Sequence, residues 1–158
     1  MDRTCGILAC VAVPAIRRYL LATVVGDLVW EFAQMPLYTL WRTGSPGEIA
    51  WAAVHCTTGD VAIAGFALLG ALLLLGFPQW PQERHWHVAV ATVAIGVGYA
   101  VFSEHLNTTS GMWDYSALMP TLPWLGTGLA PLAQWLVIPA IALSWARTAP
   151  VSGRCVTR

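Results

Sequence analysis

Residues 49–77, IAWAAVHCTTGDVAIAGFALLGALLLLGF, decide the fold, because in 29 consecutive positions they hold one acid, Asp60, and no Lys or Arg. A bilayer core is crossed by about 20 predominantly apolar residues of helix, so this stretch is long enough to span one. Three further stretches have the same character. One precedes it at 19–41, between Arg17-Arg18 and Arg42; two follow at 86–106 and 125–146, the last closed by Arg147. The connections are short, which makes one domain: an all-α, polytopic integral membrane protein with a four-transmembrane-helix bundle over 19–146. Residues 1–18 are expected to form a cytoplasmic or interfacial segment and 147–158 a cytoplasmic tail. The apolar run from Cys5 to Ile16 is too short to span and meets Arg17-Arg18 at once, so it reads as interfacial and not as a cleaved signal.

Composition points the same way. Hydrophobic residues make up 57% of the chain and charged ones 10%, with a mean hydropathy of +0.62; a soluble domain carries about 25% charged residues. The eight basic residues are all Arg and are matched by eight acids, leaving no basic stripe to track a phosphate backbone, so nucleic acid is excluded as a partner. With four spans both termini share a side. That side holds Arg3, Arg17, Arg18, Arg84, Arg147, Arg154 and Arg158, and the other holds Arg42 alone; cytoplasmic loops are enriched in Arg and Lys, which predicts cytoplasmic termini. Seven Trp (41, 51, 80, 86, 113, 124 and 145) fall near predicted helix ends, where such rings sit at headgroup level. Cys5, Cys10, Cys56 and Cys155 suggest no disulfide framework.

The informative residues are those that are costly inside a span: Asp27, Glu31, Gln34, His55, Asp60, Glu104, His105 and Gln134. Asp27, Glu31, Gln34 and Tyr38 are spaced by four, three and four residues and predict one helical stripe. At 1.5 Å per residue, Glu31 is expected roughly 18 Å from one end of its span, Asp60 roughly 16 Å and Gln134 roughly 14 Å from the other. An ionised carboxylate at a span centre costs about 2.5–3.5 kcal/mol, and no Arg or Lys lies in any predicted span. Carboxyl pairs that share a proton, protonated His or water must therefore intervene. Pro36, Pro131 and Pro139 lack the amide hydrogen that would bond the carbonyls of Phe32, Thr127 and Trp135, and freed carbonyls tend to line cavities. A polar pocket in the outer half is the expectation. Glu31, Asp60, Glu104 and His105 are its candidate catalytic residues; Asp27, Trp30, Gln34, His55, Gln134 and Trp135 are candidate ligand contacts. No metal site or cofactor is predicted; His85-x-His87 is read as interfacial. The loop 107–116, with Gly111 and small polar residues, is expected to form a mobile lid.

With residues 30–38 (WEFAQMPLY), 55–60 (HCTTGD), 103–107 (SEHLN) and 131–135 (PLAQW) assembled, the chain resembles a group of small proteobacterial inner-membrane proteins over about residues 19–147. That resemblance implies an architecture and a bacterial inner (plasma) membrane location, without an activity. It is also distantly similar to the EXPERA group of emopamil-binding sterol isomerases and sigma-2 receptors. There Glu104-His105 resembles the isomerase's Glu-His pair, Gln134-Trp135 resembles its amide and Trp with a different spacing, and Asp27 and Glu31 stand where the group has a His-to-Glu pattern. Two function classes follow. One is a pocket open to the outer side that binds an apolar small molecule, an isoprenoid or sterol-like lipid, and moves a proton on it as an isomerase or cyclase does. The other is a proton- or metal-linked transporter or an accessory subunit of a membrane complex. The expected partners are membrane lipid and a hydrophobic small molecule, with self-association left open.

Overall fold

The computed structural model describes residues 3–76 and 80–150, and the side chains from residue 12 onward within that range. Cys5, Cys10, Cys155, Arg3, Arg154 and Arg158 thus fall outside the described side chains. The elements are α1 (Arg3–Gln34), a 3-10 turn (Met35–Leu37), the short α2 (Leu40–Thr43), α3 (Pro46–Leu75), α4 (His85–Thr109) and α5 (Leu129–Arg147). Four helices are long and apolar enough to cross a membrane, over Ala12–Leu37, Pro46–Leu75, His85–Thr109 and Leu129–Arg147.

Helix ends depart from the hydropathy pattern wherever backbone chemistry decides. α1 stops at Gln34 and not at Trp41, because Pro36 cannot donate an amide hydrogen and the chain tightens into the 3-10 turn. α3 begins at Pro46, three residues before the apolar run, because Ser45 and Glu48 form a capping box: Glu48 N–H donates to Ser45 Oγ at 3.3 Å, and Ser45 N–H to Glu48 Oε2 at 2.8 Å. α4 runs on to Thr109 while the hydroxyls of Thr108, Thr109 and Ser110 donate to the carbonyls of Glu104, His105 and Leu106. α5 begins only at Leu129, since 121–128 folds into its own turn in which Leu122 N–H donates to Thr127 O at 2.9 Å and Leu129 N–H to Pro120 O at 2.8 Å. One expectation is corrected here. Pro131 sits in the first turn of α5, where its missing donor costs no helical bond, and the Thr127 carbonyl is occupied. Residues from Arg3 onward continue into α1 with no break before Tyr19, and Arg17 and Arg18 lie within the first apolar span.

The four long helices close a ring in which α1 packs on α3, α3 on α4, α4 on α5 and α5 on α1. The surface is inverted relative to a water-soluble protein. Val29, Phe66, Leu74, Val90 and Ile141 face outward while Asp27, Glu31, Gln34, Glu104 and Gln134 are buried, as lipid solvent requires. One end of the bundle carries Arg18, Arg84 and Arg147: Arg18 donates to Thr148 Oγ1 at 2.9 Å, Arg84 caps the Leu75 carbonyl at 2.8 Å, and Arg147 lies over Trp86. The interior of this Arg end is apolar and built from small residues, with Ala15, Ala64, Ala71, Ala142 and Ala146 around Tyr19, Leu68, Leu72, Leu143 and Trp80. Ala67 and Ala71 of α3 are both buried, and Ala71 belongs to this cluster. Trp80 is 1% exposed, so it is a core residue and not part of an interfacial belt; Trp51, Trp86 and Trp124 are exposed as that belt requires.

The opposite end is closed by residues 110–128. Thr39 N–H donates to Asp114 O at 3.0 Å, Ser116 N–H to Leu37 O at 2.9 Å, and Ser116 Oγ to Pro36 O at 3.2 Å. The rings of Tyr38 and Tyr115 pack at 5.6 Å. The segment expected to be a mobile lid is therefore tied down by backbone bonds.

Candidate functional site

α1 carries Tyr19, Thr23, Asp27, Glu31 and Gln34 at spacings of four, four, four and three. Such spacing keeps them on one face, and all five are buried. Opposite them α5 presents Gln134 and Trp135, and α3 presents Asp60. The Gln134 amide is the hub: its Nε2 donates to Asp27 Oδ1 at 3.1 Å and to Asp60 Oδ2 at 3.0 Å, and its Oε1 accepts from Gln34 Nε2 at 3.3 Å. Gln34 Nε2 also donates to Glu31 Oε1 at 2.9 Å. Glu31 and Asp60 are thereby joined through the two amides, Glu31 to Gln34, Gln34 to Gln134 and Gln134 to Asp60. Three helices thus converge on one network of three carboxyls and two amides, and no Arg or Lys takes part.

The network forms one wall of a cavity of about 290 Å³. Its far wall is α4, where Tyr99, Ser103 and Asn107 recur every fourth residue beside Glu104. Tyr115 O–H donates to Glu104 Oε2, and the same phenol oxygen accepts from Gly128 N–H at 3.0 Å. The Trp113 indole faces Glu104 without closing a hydrogen bond. Burial first, and then the Glu104 carboxylate, pushes the phenols of Tyr38 and Tyr115 above their ordinary titration range, so both remain hydroxyl donors at neutral pH. Trp135 fixes the α4–α5 side: a Cβ on Gly96 would lie 2.2 Å from its ring, so only glycine admits the indole there.

Of the residues singled out from the sequence, Glu31, Asp60, Glu104, Gln34, His55, Gln134 and Trp135 line the cavity. Asp27 lies behind its wall and reaches it through Gln134. His105 is exposed and Trp30 only half-buried, and neither lines the cavity. The reason is helical geometry: successive residues turn by about 100°, so Glu104 and His105, like Trp30 and Glu31, cannot face the same way. Gln134 stands five residues into α5, about 7.5 Å from its start, shallower than expected because the helix begins late. Cys56, Tyr99, Ser103, Asn107, Trp113 and Tyr115 were not singled out. The α4 trio was legible in its fourfold spacing; Tyr115 had no local signal, as its partner Glu104 is reached only through the folded loop. Buried polar atoms without a partner at the cavity wall are Gln34 Oε1 and Trp113 Nε1. Among the described residues, no three His, Cys, Asp or Glu side chains are grouped to hold a metal ion.

Known protein families, curated proteins and solved structures yield no match to this chain.

Proposed function

We propose that this small membrane protein binds an apolar molecule in the bundle cavity and moves a proton on it. The observation that carries the reading is the Glu31–Asp60 pair, drawn from two helices, joined through the amides of Gln34 and Gln134 on one cavity wall, with no Arg or Lys among the cavity-lining residues. Two carboxyls in such a place cannot both ionise cheaply, so they share a proton. A protonated member can donate to a double bond, and an ionised one can take a proton from a neighbouring carbon. Glu104, oriented by Tyr115 on the far wall, supplies a third carboxyl, and the faces of Trp135 and Tyr99 suit a developing positive charge. Gln34 Oε1 and Trp113 Nε1 offer an unused acceptor and donor to the polar end of a ligand.

A proton or metal relay across the membrane fits the interior less well. Past Asp27 the polar groups end at Thr23 and the Tyr19 hydroxyl, which donates to Ala64 O at 3.2 Å, and the Arg end beyond is apolar. A cavity closed on that side favours binding over conduction. By the Arg asymmetry, the cavity lies in the half of an inner membrane away from the cytoplasm.

The test is mass spectrometry of small molecules that copurify in mild detergent with the wild type, Glu31→Gln and Asp60→Asn. A molecule enriched on the wild type and converted to an isomer only in its presence, with both amides binding but inert, is the expected result. Absence of any enriched molecule from all three overturns the reading.

A further inference from the structure

The cavity has a side opening, and its place in the ring says where a ligand comes from. On α1 and α5 every side chain that the carboxyl network contributes to the cavity is buried: Glu31, Gln34, Gln134 and Trp135 are all at most 6% exposed. On α3 and α4, by contrast, Ala100 and Glu104 are buried but His55, Gly59 and Tyr99 line the cavity and are also exposed. A Cβ added to Gly59 would meet no atom within 4 Å. Toward the Arg end the two helices close up again, where a Cβ on Gly70 would touch Ile95 at 3.9 Å and Leu68, Leu72 and Val88 share the core. The axial route is roofed by residues 110–128, pinned to residues 36–39 and latched through Tyr115 to Glu104. The remaining path runs sideways, between α3 and α4, onto a surface where Trp51 and Phe102 face outward.

Size makes the window more than a door. The cavity of about 290 Å³ sits at the lower limit of ordinary ligand sites, which span about 300–1,000 Å³. It can take a small head but not a whole isoprenoid or sterol-like molecule. We infer that the α3–α4 seam is a second subsite, which admits a single-chain membrane amphiphile from the bilayer and holds its hydrocarbon chain while the small polar head occupies the carboxyl cavity. This rests on the reading of the cavity as a ligand site. Gly59 is the residue that keeps the seam open, and lipid-dissolved molecules are selected over water-dissolved ones because the cavity communicates with lipid alone.

Cys56 lines the cavity and reports on access without any ligand being known. The full-length protein is reconstituted in phosphatidylcholine vesicles and treated with N-dodecylmaleimide, or with sulfonated and trimethylammonium methanethiosulfonates so that the sign of charge does not decide. Adducts on Cys56 are separated from those on Cys5, Cys10 and Cys155 by peptide mass spectrometry. The maleimide is expected to modify Cys56 and neither charged reagent to do so. Gly59→Trp should slow the maleimide by about tenfold or more, whereas Gly98→Trp, equally bulky but outside the cavity, should not. Labelling by the charged reagents at the maleimide's rate, no labelling of Cys56 by any reagent, or full-rate labelling in Gly59→Trp each overturns the inference. If Gly59→Trp misfolds, charged reagents gain access to Cys56, and Gly59→Leu then replaces it under the same criteria. A copurifying ligand found together with a closed seam would leave the proposed function standing and remove the portal alone.

Discussion

At the scale of single residues, the decisive feature is that Asp27, Glu31 and Asp60 are met by the amides of Gln34 and Gln134, with no Arg or Lys among the described residues joining them. On the proposed sharing of one proton between Glu31 and Asp60, both Glu31→Gln and Asp60→Asn should remove or shift the same protonated-carboxyl band in infrared difference spectra; a change in only one variant would separate the two acids. Tyr115 gives a second test. Burial and Glu104 hold its phenol proton more tightly in the folded state than in the unfolded one. Above pH about 10 the unfolded chain releases that proton while the folded chain keeps it, so the contribution to stability is present at neutral pH and falls as pH rises past that value. Tyr115→Phe should cost about 1–3 kcal/mol near pH 7, because it strips Glu104 and the Gly128 N–H of a buried partner. It should also flatten the alkaline decline of the melting temperature in detergent; an unchanged slope would assign that decline to Tyr38 or another group.

At the scale of elements, helix ends and helix contacts obey different rules from helix existence. Four apolar stretches announce four helices because lipid demands them, but where each starts is set by Ser45 and Glu48, by Pro36, or by the hydroxyls of Thr108 to Ser110. Contacts between helices turn on small residues. Gly96 admits the Trp135 ring, so Gly96→Val should separate α4 from α5 and destabilise by about 1–3 kcal/mol or more. Thermal unfolding in detergent measures this, and a wild-type melting temperature would show that the indole has another resting place. The hydropathy pattern cannot foresee such a contact, since Gly96 and Gly98 look alike in sequence and only one of them meets a ring.

At the scale of the whole molecule, Arg18, Arg84 and Arg147 lie at the end of the bundle opposite the cavity, and Arg42 alone among the described Arg residues lies at the cavity end. Reporter fusions at Glu83 and Gly153 should read cytoplasmic and one at Thr109 should read external, as Arg enrichment on the inner side requires; an inverted pattern would place the cavity in the cytoplasmic half of the membrane. The amino-acid sequence by itself determined the membrane class, the four spans, and the stripe of Asp27, Glu31 and Gln34, because burial cost and helical period act on each segment separately. It also marked Asp60, Glu104 and Gln134 as costly. What it could not decide was which of these meet. That Gln134 joins Asp27 to Asp60, that His105 turns away while Glu104 turns in, and that the 110–128 segment is fastened over one end all depend on rotation of each helix about its axis and on contacts up to 107 residues apart in the chain. Those are fixed by packing four helices at once, and no single segment carries that information.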